Sequence, residues 1–313
     1  MSYDTLGFAL TDKCTAACKH CCFSCSPTSN SKLDTNRVIQ YITESADIPE
    51  IKNIAFTGGE VFIFYDELKD LIALSSKMGK KTSLATNGFW AVDEDAAYSK
   101  MKDLKDRGLN HISLSYDRYH GEYVKADNIK NILRTSLDLE ISVSISVVKL
   151  KDERVGSLLD ELGSDIYPAS IKIGACMPVG EAKKSFSESS FDRTLKTRNA
   201  RCPYGGSLSI MPDGKIYPCC SQVIRDTALL IGDFYKLSLS EALNKAKNNI
   251  LLYFLRNRPM SFFTEYTIAE LGEEYPEKVV NPCELCGLLF SPDHIQSLHK
   301  YIMSRAGEIK REE

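Results

Sequence analysis

The sequence predicts an α/β fold, a parallel sheet with helices outside it, followed by a smaller cysteine-bearing domain. Three observations carry this. Strand-like and helix-like segments alternate from residue 5 to about residue 178, as they do when each strand is followed by a crossover helix. The rhythm changes near residue 200, where a hairpin pattern and a second set of cysteines begin. The chain has 313 residues, 43% hydrophobic and 26% charged, enough for one large core and a smaller one.

The first strand is Leu6-Gly7-Phe8-Ala9-Leu10. A cysteine loop follows, then a helix with apolar positions Val38, Ile39 and Ile42 that Asp34 is placed to cap. Residues 51–57 form a strand that leads to a helix with Leu68, Leu71 and Ile72. Residues 81–85 lead through Thr86-Asn87-Gly88 to a helix with Ala97, Met101 and Leu104, which Gly108 stops. Residues 111–115 precede a helix with Ile129, Ile132 and Leu133. In the fifth strand Ile141, Val143, Ile145 and Val147 alternate with three serines at period two. The sixth is 171–175. Such a succession gives either an open doubly wound sheet or a barrel, and in both the functional residues lie just past strand C-termini. The cysteine loop, Gly58-Gly59-Glu60, Asn87 and Ser115 fall there.

Beyond residue 200, residues 207–210 and 215–217 flank Pro212-Asp213-Gly214 and read as a β-hairpin. A helix is expected over about 238–255, then an aromatic stretch around Phe262 and Phe263, the pair Cys283-x2-Cys286, and a closing helix through Ile295, Leu298 and Ile302.

The formal net charge of −3 supplies no basic field, which disfavours a nucleic-acid partner. The N-terminus carries no basic-plus-apolar leader, and the longest apolar run, 250–255, is too short for a bilayer; a cytoplasmic protein with no membrane partner is expected. The eleven cysteines fall in tight groups. A disulfide framework belongs to small secreted chains, so metal clusters explain the grouping better. Cys14-x3-Cys18-x2-Cys21 offers three thiolates, which suit a four-iron cluster with one iron left free, whereas structural zinc closes its shell with four ligands.

With Thr57-Gly58-Gly59-Glu60 at the end of the second strand, this triplet resembles the radical S-adenosylmethionine superfamily. The resemblance implies a partial (β/α)6 TIM-like barrel over residues 1–199, with a [4Fe–4S] cluster on Cys14, Cys18 and Cys21 whose free iron chelates the methionine of S-adenosylmethionine. It implies further cofactor contacts from Gly58, Gly59 and Glu60, from Asn87, and from Ser115 with Asp117; a carboxylate matches an ammonium group. The loop Met177-Pro178-Val179-Gly180-Glu181-Ala182 resembles the one that approaches the adenine. His20 stands where an aromatic often precedes the third cysteine, and its flat ring can still pack over another ring. Cys202, Cys219, Cys283 and Cys286 resemble the ligand set of the auxiliary-cluster domain called twitch, a relative of the longer SPASM domain, over residues 200–313. They imply one auxiliary [4Fe–4S] cluster, although a zinc ribbon would use the same four thiolates.

Several longer strings are similar to radical S-adenosylmethionine peptide epimerases, which convert residues of ribosomally made peptides from L to D. These are Cys21-Cys22-Phe23-Ser24, Phe56-Thr57-Gly58-Gly59-Glu60-Val61-Phe62, Asn87-Gly88-Phe89-Trp90, Ser115-Tyr116-Asp117 with Tyr119-His120, and Tyr217-Pro218-Cys219-Cys220-Ser221. The implied chemistry is removal of a peptide Cα hydrogen by the 5′-deoxyadenosyl radical and return of a hydrogen from Cys220 on the opposite face. The implied partners are a precursor peptide and an electron donor such as flavodoxin or ferredoxin. Cys22, Cys25 and Cys176 are surplus to these sets. One departure stands out: the epimerases carry an acidic residue between the Cys-Pro pair and the Asp-Gly turn, and residues 205–211 here contain none. A cross-linking maturase, forming thioether or carbon–carbon bonds, is the main alternative, and a non-catalytic iron–sulfur or zinc scaffold a remote one. With little chain before the first strand, peptide recognition is expected at the barrel mouth or in a separate protein.

Overall fold

Residues 2–203, 206–305 and 307 are described in the computed structural model of the chain. β1 (Thr5–Ala9), β2 (Asn53–Thr57), β3 (Lys81–Thr86), β4 (Leu109–Ser115), β5 (Ser142–Lys149) and β6 (Ala169–Ala175) lie side by side in chain order, every pair parallel. The crossovers are α1 (Thr35–Glu44), α2 (Tyr65–Lys77), α3 (Glu94–Asp106), α4 (Ala126–Asp138) and the short α5 (Gly156–Leu162). Asp34 caps α1 as expected, accepting the Arg37 N–H at 2.8 Å, and Asp93 caps α3 in the same way at 2.7 Å.

Each helix buries one stripe against the sheet: Val38, Tyr41 and Ile42 on α1, Leu68, Leu71 and Ile72 on α2, Ala97, Met101 and Leu104 on α3, Ile129, Ile132 and Leu133 on α4. Ile39, expected on that stripe, is 40% exposed, because Tyr41 takes the core-facing position. The period-two pattern of β5 sorts its two faces. Val143, Ile145 and Val147 are buried, while Ser146, with Ser115 of β4, lines a cavity at the barrel mouth. His111 of β4 bonds the Ser142 and Ser144 hydroxyls at 3.0 Å each, so small polar side chains line this flank and leave space at its mouth.

The chain continues through α6 (Gly180–Ser185) and β7 (Leu195–Lys196) to the expected hairpin, β8 (Ser207–Ile210) with β9 (Lys215–Tyr217). What the sequence did not announce is its place. β8 pairs in parallel with β1 in the register Thr5↔Ser207, and β10 (Gly232–Asp233) pairs with β9, so the C-terminal segment extends the barrel sheet to nine strands in the order β10-β9-β8-β1-β2-β3-β4-β5-β6.

The single helix expected over 238–255 is two, α7 (Leu239–Lys247) and α8 (Ile250–Asn257). Ser238 and Glu241 form a capping box on α7, and Asn249 opens α8 by accepting the Leu252 N–H at 3.1 Å. The aromatic stretch is helical, α9 (Ser261–Leu271). β11 (Lys278–Val279) pairs with β7, α10 (Pro282–Leu289) carries Cys283 and Cys286, and α11 (Ile295–Arg305) closes the chain. Gly205, at the start of the acid-free stretch, lies outside the described residues, as do residue 306 and residues 308–313 of the C-terminal segment. Among the described residues no helix is long and apolar enough to cross a membrane.

Candidate active site

The loop between β1 and α1 is stitched to the end of β2. The Gly59 N–H donates to the Thr11 carbonyl at 2.6 Å and the Glu60 N–H to the Lys13 carbonyl at 2.9 Å. The approach is so close that a Cβ on Gly59 would stand 2.2 Å from the Lys13 oxygen, which explains glycine there. A second clamp comes from Gly180, at φ +55°, where a Cβ would meet the Cys21 and Cys22 carbonyls at 2.5 and 2.4 Å. The Glu181 N–H, next to it, donates to the Cys21 carbonyl at 2.9 Å. The loop after β6 thus lies directly on the cysteine loop.

Cys14, Cys18 and Cys21 all face one cavity of about 280 Å³ at the C-terminal ends of the strands. Backbone N–H groups point at two of the sulfurs, Ala16 to Cys14 at 3.5 Å and Cys25 to Cys21 at 3.3 Å. Burial pushes the Cys14 thiol up to about 11 and raises Cys18 as well. Cys21 is held down at about 6, chiefly by the Cys25 thiol, with help from the N–H groups of Cys25 and Phe23 and from His20. Three thiols on one wall, two of them receiving N–H bonds, fit the ligand set of a cluster with an open iron. Cys22 and Cys25 line the same cavity, Cys25 being itself buried.

Gly58, Gly59, Asn87 and Ser115 line the cavity, where the sequence places them. The Asn87 side chain donates to Thr15 Oγ1 at 3.0 Å and accepts the Phe89 N–H at 3.0 Å, tying the end of β3 to the cysteine loop. Glu60 behaves differently from the expectation that it meets an ammonium group. It is fully buried, and its carboxylate accepts the Phe62 N–H at 3.0 Å, the Thr86 hydroxyl at 2.8 Å and the Asn87 N–H at 2.8 Å. Burial pushes its carboxyl up to about 7, against these three donors, which favour the charged form. Glu60 therefore shapes the cavity by positioning Asn87. Glu60→Gln turns an acceptor into a donor facing donors and is expected to cost about 1–3 kcal/mol. Urea unfolding of the anaerobic holoprotein checks this; an unchanged midpoint refutes the bracing role.

Asp117 is also buried, at 1% exposure, and is occupied by protein groups: it bonds His20 Nε2 at 3.0 Å, accepts the N–H groups of Tyr119 and His120 at 3.0 Å each and that of Val148 at 3.2 Å, and has His120 Nδ1 beside it as an ion-pair neighbour at 2.9 Å. The hydrogen bonds and charge of the two histidines hold its carboxyl far below the usual range against burial. His20 and His120, not Asp117, reach the cavity wall, and the His20 ring stacks on Tyr119 with centroids 4.7 Å apart. The anticipated flat packing of His20 is thus present. His120 and Gln222 are cavity residues that sequence reasoning missed; His120 lay in a quoted string without a role, and Gln222 carried no signal.

In the C-terminal segment Cys202, Cys219, Cys283 and Cys286 surround a separate small cavity of about 30 Å³. Asn281 caps α10 and accepts the Cys283 N–H at 2.8 Å, which sets both α10 cysteines. Burial pushes Cys219 up to about 12 and Cys286 well above the ordinary thiol. A tetrahedral zinc site brings its sulfurs to about 3.8 Å of one another, given Zn–S bonds of about 2.3 Å. Among the described residues, His20, Asp117 and His120 are the one group of three or more His, Cys, Asp or Glu donors gathered within 4.8 Å. Cys220 is the one exposed cysteine of the eleven. Arg225, on the same loop, makes a two-pronged ion pair with Asp12 at 2.9 and 3.3 Å, fastening this segment to the cysteine loop, and Gln222 between them lines the barrel cavity.

Comparison with known proteins agrees with this geometry. Residues 8–145 match the model of the Radical SAM superfamily, and residues 202–287 match that of an iron–sulfur cluster-binding domain, SPASM. YydG of Bacillus subtilis (strain 168), named for peptide biosynthesis, is 32% identical over 306 residues, 95% of this chain and 96% of that protein. A GTP 3′,8-cyclase of Clostridium botulinum (strain Okra / Type B1) is 25% identical over 205 residues, 59% of this chain and 60% of the cyclase. Among solved structures, anSMEcpe with bound AdoMet and the Cp18Cys peptide superposes with a TM-score of 0.54 at 13% identity, covering 97% of this chain and 99% of that one. BtrN in complex with AdoMet and 2-DOIA gives 0.52 at 10% identity, covering 82% and 88%. These two likenesses show the fold, a partial α/β barrel with a C-terminal cluster domain. The chain belongs to the radical SAM superfamily, in the branch whose barrel is followed by an iron–sulfur cluster-binding domain, and its cofactors are S-adenosylmethionine, a [4Fe–4S] cluster in the barrel and auxiliary iron–sulfur beyond it.

Proposed function

We propose that this chain is a maturase of a ribosomally synthesised peptide that inverts L-residues to D-residues, with Cys220 as hydrogen donor. The observation that carries the reading is the placement of Cys220: exposed, one residue from the auxiliary cysteine Cys219 and two from Gln222 on the wall of the barrel cavity. The peptide class is supported by YydG, a relative over 95% of this chain that is named for peptide biosynthesis.

When bound, the barrel cluster and S-adenosylmethionine supply a carbon radical that takes a hydrogen atom from a peptide Cα. Cys14, Cys18 and Cys21 would hold that cluster, and the backbone of Gly58 and Gly59, with Asn87 and Ser115, would line the cofactor. Glu60 and Asp117 act through their neighbours, fixing Asn87 on one side and the His20–His120 pair on the other. Cys202, Cys219, Cys283 and Cys286 would hold one auxiliary cluster, leaving Cys220 free. Cys220 then transfers its thiol hydrogen atom to the planar Cα from the face opposite the barrel, and one electron and one proton, from a flavodoxin- or ferredoxin-type donor and solvent, restore the thiol. The thiol needs no general base for a hydrogen-atom transfer, so the missing acidic residue of 205–211 does not bar this step.

The test is coexpression with the short open reading frames that flank the gene, each peptide made in ordinary water before the enzyme is induced in heavy water, and read by mass spectrometry and chiral amino-acid analysis. Inversion adds one deuterium at each D-residue. A loss of two hydrogens without D-residues would replace inversion by cross-linking, and an unchanged peptide would leave a scaffold.

A further inference from the structure

β6 is the last strand of the sheet, and β5 is its one ladder partner among the described residues. Five consecutive residues, Ser170 to Gly174, are exposed, so neither face of the strand is covered. Ile171 is 39% and Ile173 51% exposed. Their register partners Ile145 and Val147 are buried on the same face of the sheet, so these two isoleucines continue an apolar stripe past the last helix that covers it. Long edges are normally blunted by proline, by several charges or by a bulge, because they invite another strand. β6 runs seven residues with Lys172 as its single charge and no proline.

The ladder also shows which backbone groups face away from β5. The Cys176 N–H donates to the Lys149 carbonyl at 2.8 Å, so by the two-residue period of a parallel pair the even-numbered residues face β5. The backbone N–H and C=O of Ile171, Ile173 and Ala175 point outward. The run of this edge is equally informative: two residues beyond Ala175, Met177 lines the barrel cavity.

We propose that the outer edge of β6 is the docking strand for the precursor peptide, which adds to Ala169–Ala175 as a further extended strand and is led by it into the barrel cavity. This rests on the peptide-maturase reading above and names how that substrate is held. Strand addition draws affinity from main-chain bonds and asks little of side chains, while Ile171 and Ile173 give a preference for apolar residues at every second position. Seven residues span about 23 Å at about 3.3 Å each, a length that holds a segment of the peptide outside the cavity while its neighbour enters. An extended backbone is also the form in which a Cα hydrogen is most open to attack.

The experiment uses the full reconstituted chain and a synthetic copy of each short peptide encoded by the flanking open reading frames. Hydrogen exchange on the wild-type protein should show the amides of Ile171, Ile173 and Ala175 protected when the peptide is added. Ile173→Pro removes one outward N–H at a position where an edge strand tolerates proline, and should weaken peptide binding at least about tenfold with iron content unchanged; Ile173→Val should stay within about twofold. Peptide binding unaffected by Ile173→Pro, with no protection in the wild type, overturns the docking strand and leaves the maturase reading standing. Protection that appears without peptide and rises with protein concentration assigns the edge to a second copy of this chain instead. A wild-type protein that neither binds nor alters the peptide overturns both.

Discussion

Cys220→Ala is expected to keep both sets of iron and the cleavage of S-adenosylmethionine, and to abolish the formation of D-residues. The reasoning is geometric. Cys202, Cys219, Cys283 and Cys286 converge on one small cavity, and Cys220 is exposed beside it, so removing its sulfur takes nothing from the cluster. Nor is it part of the cavity that holds Cys14, Cys18 and Cys21. What it removes is the hydrogen atom that must come from the face opposite the barrel. Sulfur–hydrogen bonds are weak enough to quench a carbon radical and oxygen–hydrogen bonds are not, so Cys220→Ser should fail in the same way, which separates loss of the donor from loss of bulk. The peptide radical would persist or fragment, and any residual product would lack solvent-derived deuterium. Loss of the auxiliary iron in the alanine variant would exchange the roles of Cys219 and Cys220. Normal inversion would move the donor to another thiol; Cys22 and Cys25, on the cavity wall, and Cys176, 1% exposed in the apolar cluster around Met177, are the candidates.

Much of this site was legible because its determinants are local. The serine alternation of β5 encodes two faces of a strand, and the triplet of cysteines with Gly58 and Gly59 encodes a loop pressed onto the end of β2, since only glycine allows that approach. The surroundings of the two carboxylates were not legible, for a physical reason. Glu60 and Asp117 lie past the ends of β2 and β4, in turns whose direction no strand alternation sets, and each carboxylate is met there by three or more protein donors. Pairing between distant segments was not legible at all. β8 has the pattern of any hairpin strand, and nothing in that pattern names β1 as its neighbour; the register Thr5↔Ser207 sets Ser207 and Ser209 beside Gly7 at ordinary contact distance. The break between α7 and α8 was hidden by apolar residues that continue in phase across it; the paired asparagines Asn248 and Asn249 were the signal, the second being a cap.

Gly59→Ala is expected to strip the barrel cluster while sparing the auxiliary one. The added methyl would stand 2.2 Å from the Lys13 oxygen, 2.6 Å from the Lys13 carbonyl carbon and 2.9 Å from the Asp12 oxygen. All three are backbone atoms, so no side chain can swing aside. The loop must lift, and lifting it breaks the bonds from Gly59 to Thr11 and from Glu60 to Lys13. Overpacking of this kind costs about 1–3 kcal/mol and each lost bond about 0.5–1.5, enough to unfasten a loop that has little core of its own. The helix-covered sheet behind it keeps its buried stripes, so the fold should stand. Cys202, Cys219, Cys283 and Cys286 lie at a separate cavity and keep their geometry. Anaerobic reconstitution should therefore fall from about eight irons to about four, with cleavage of S-adenosylmethionine lost. Gly156→Ala, at a glycine with open space around it, is the control and should change neither number. Full iron and full cleavage in Gly59→Ala would show that the cysteine loop is held by something other than this contact. Loss of all iron would show instead that the two cavities stand or fall together, as the Asp12–Arg225 pair that joins their loops could enforce.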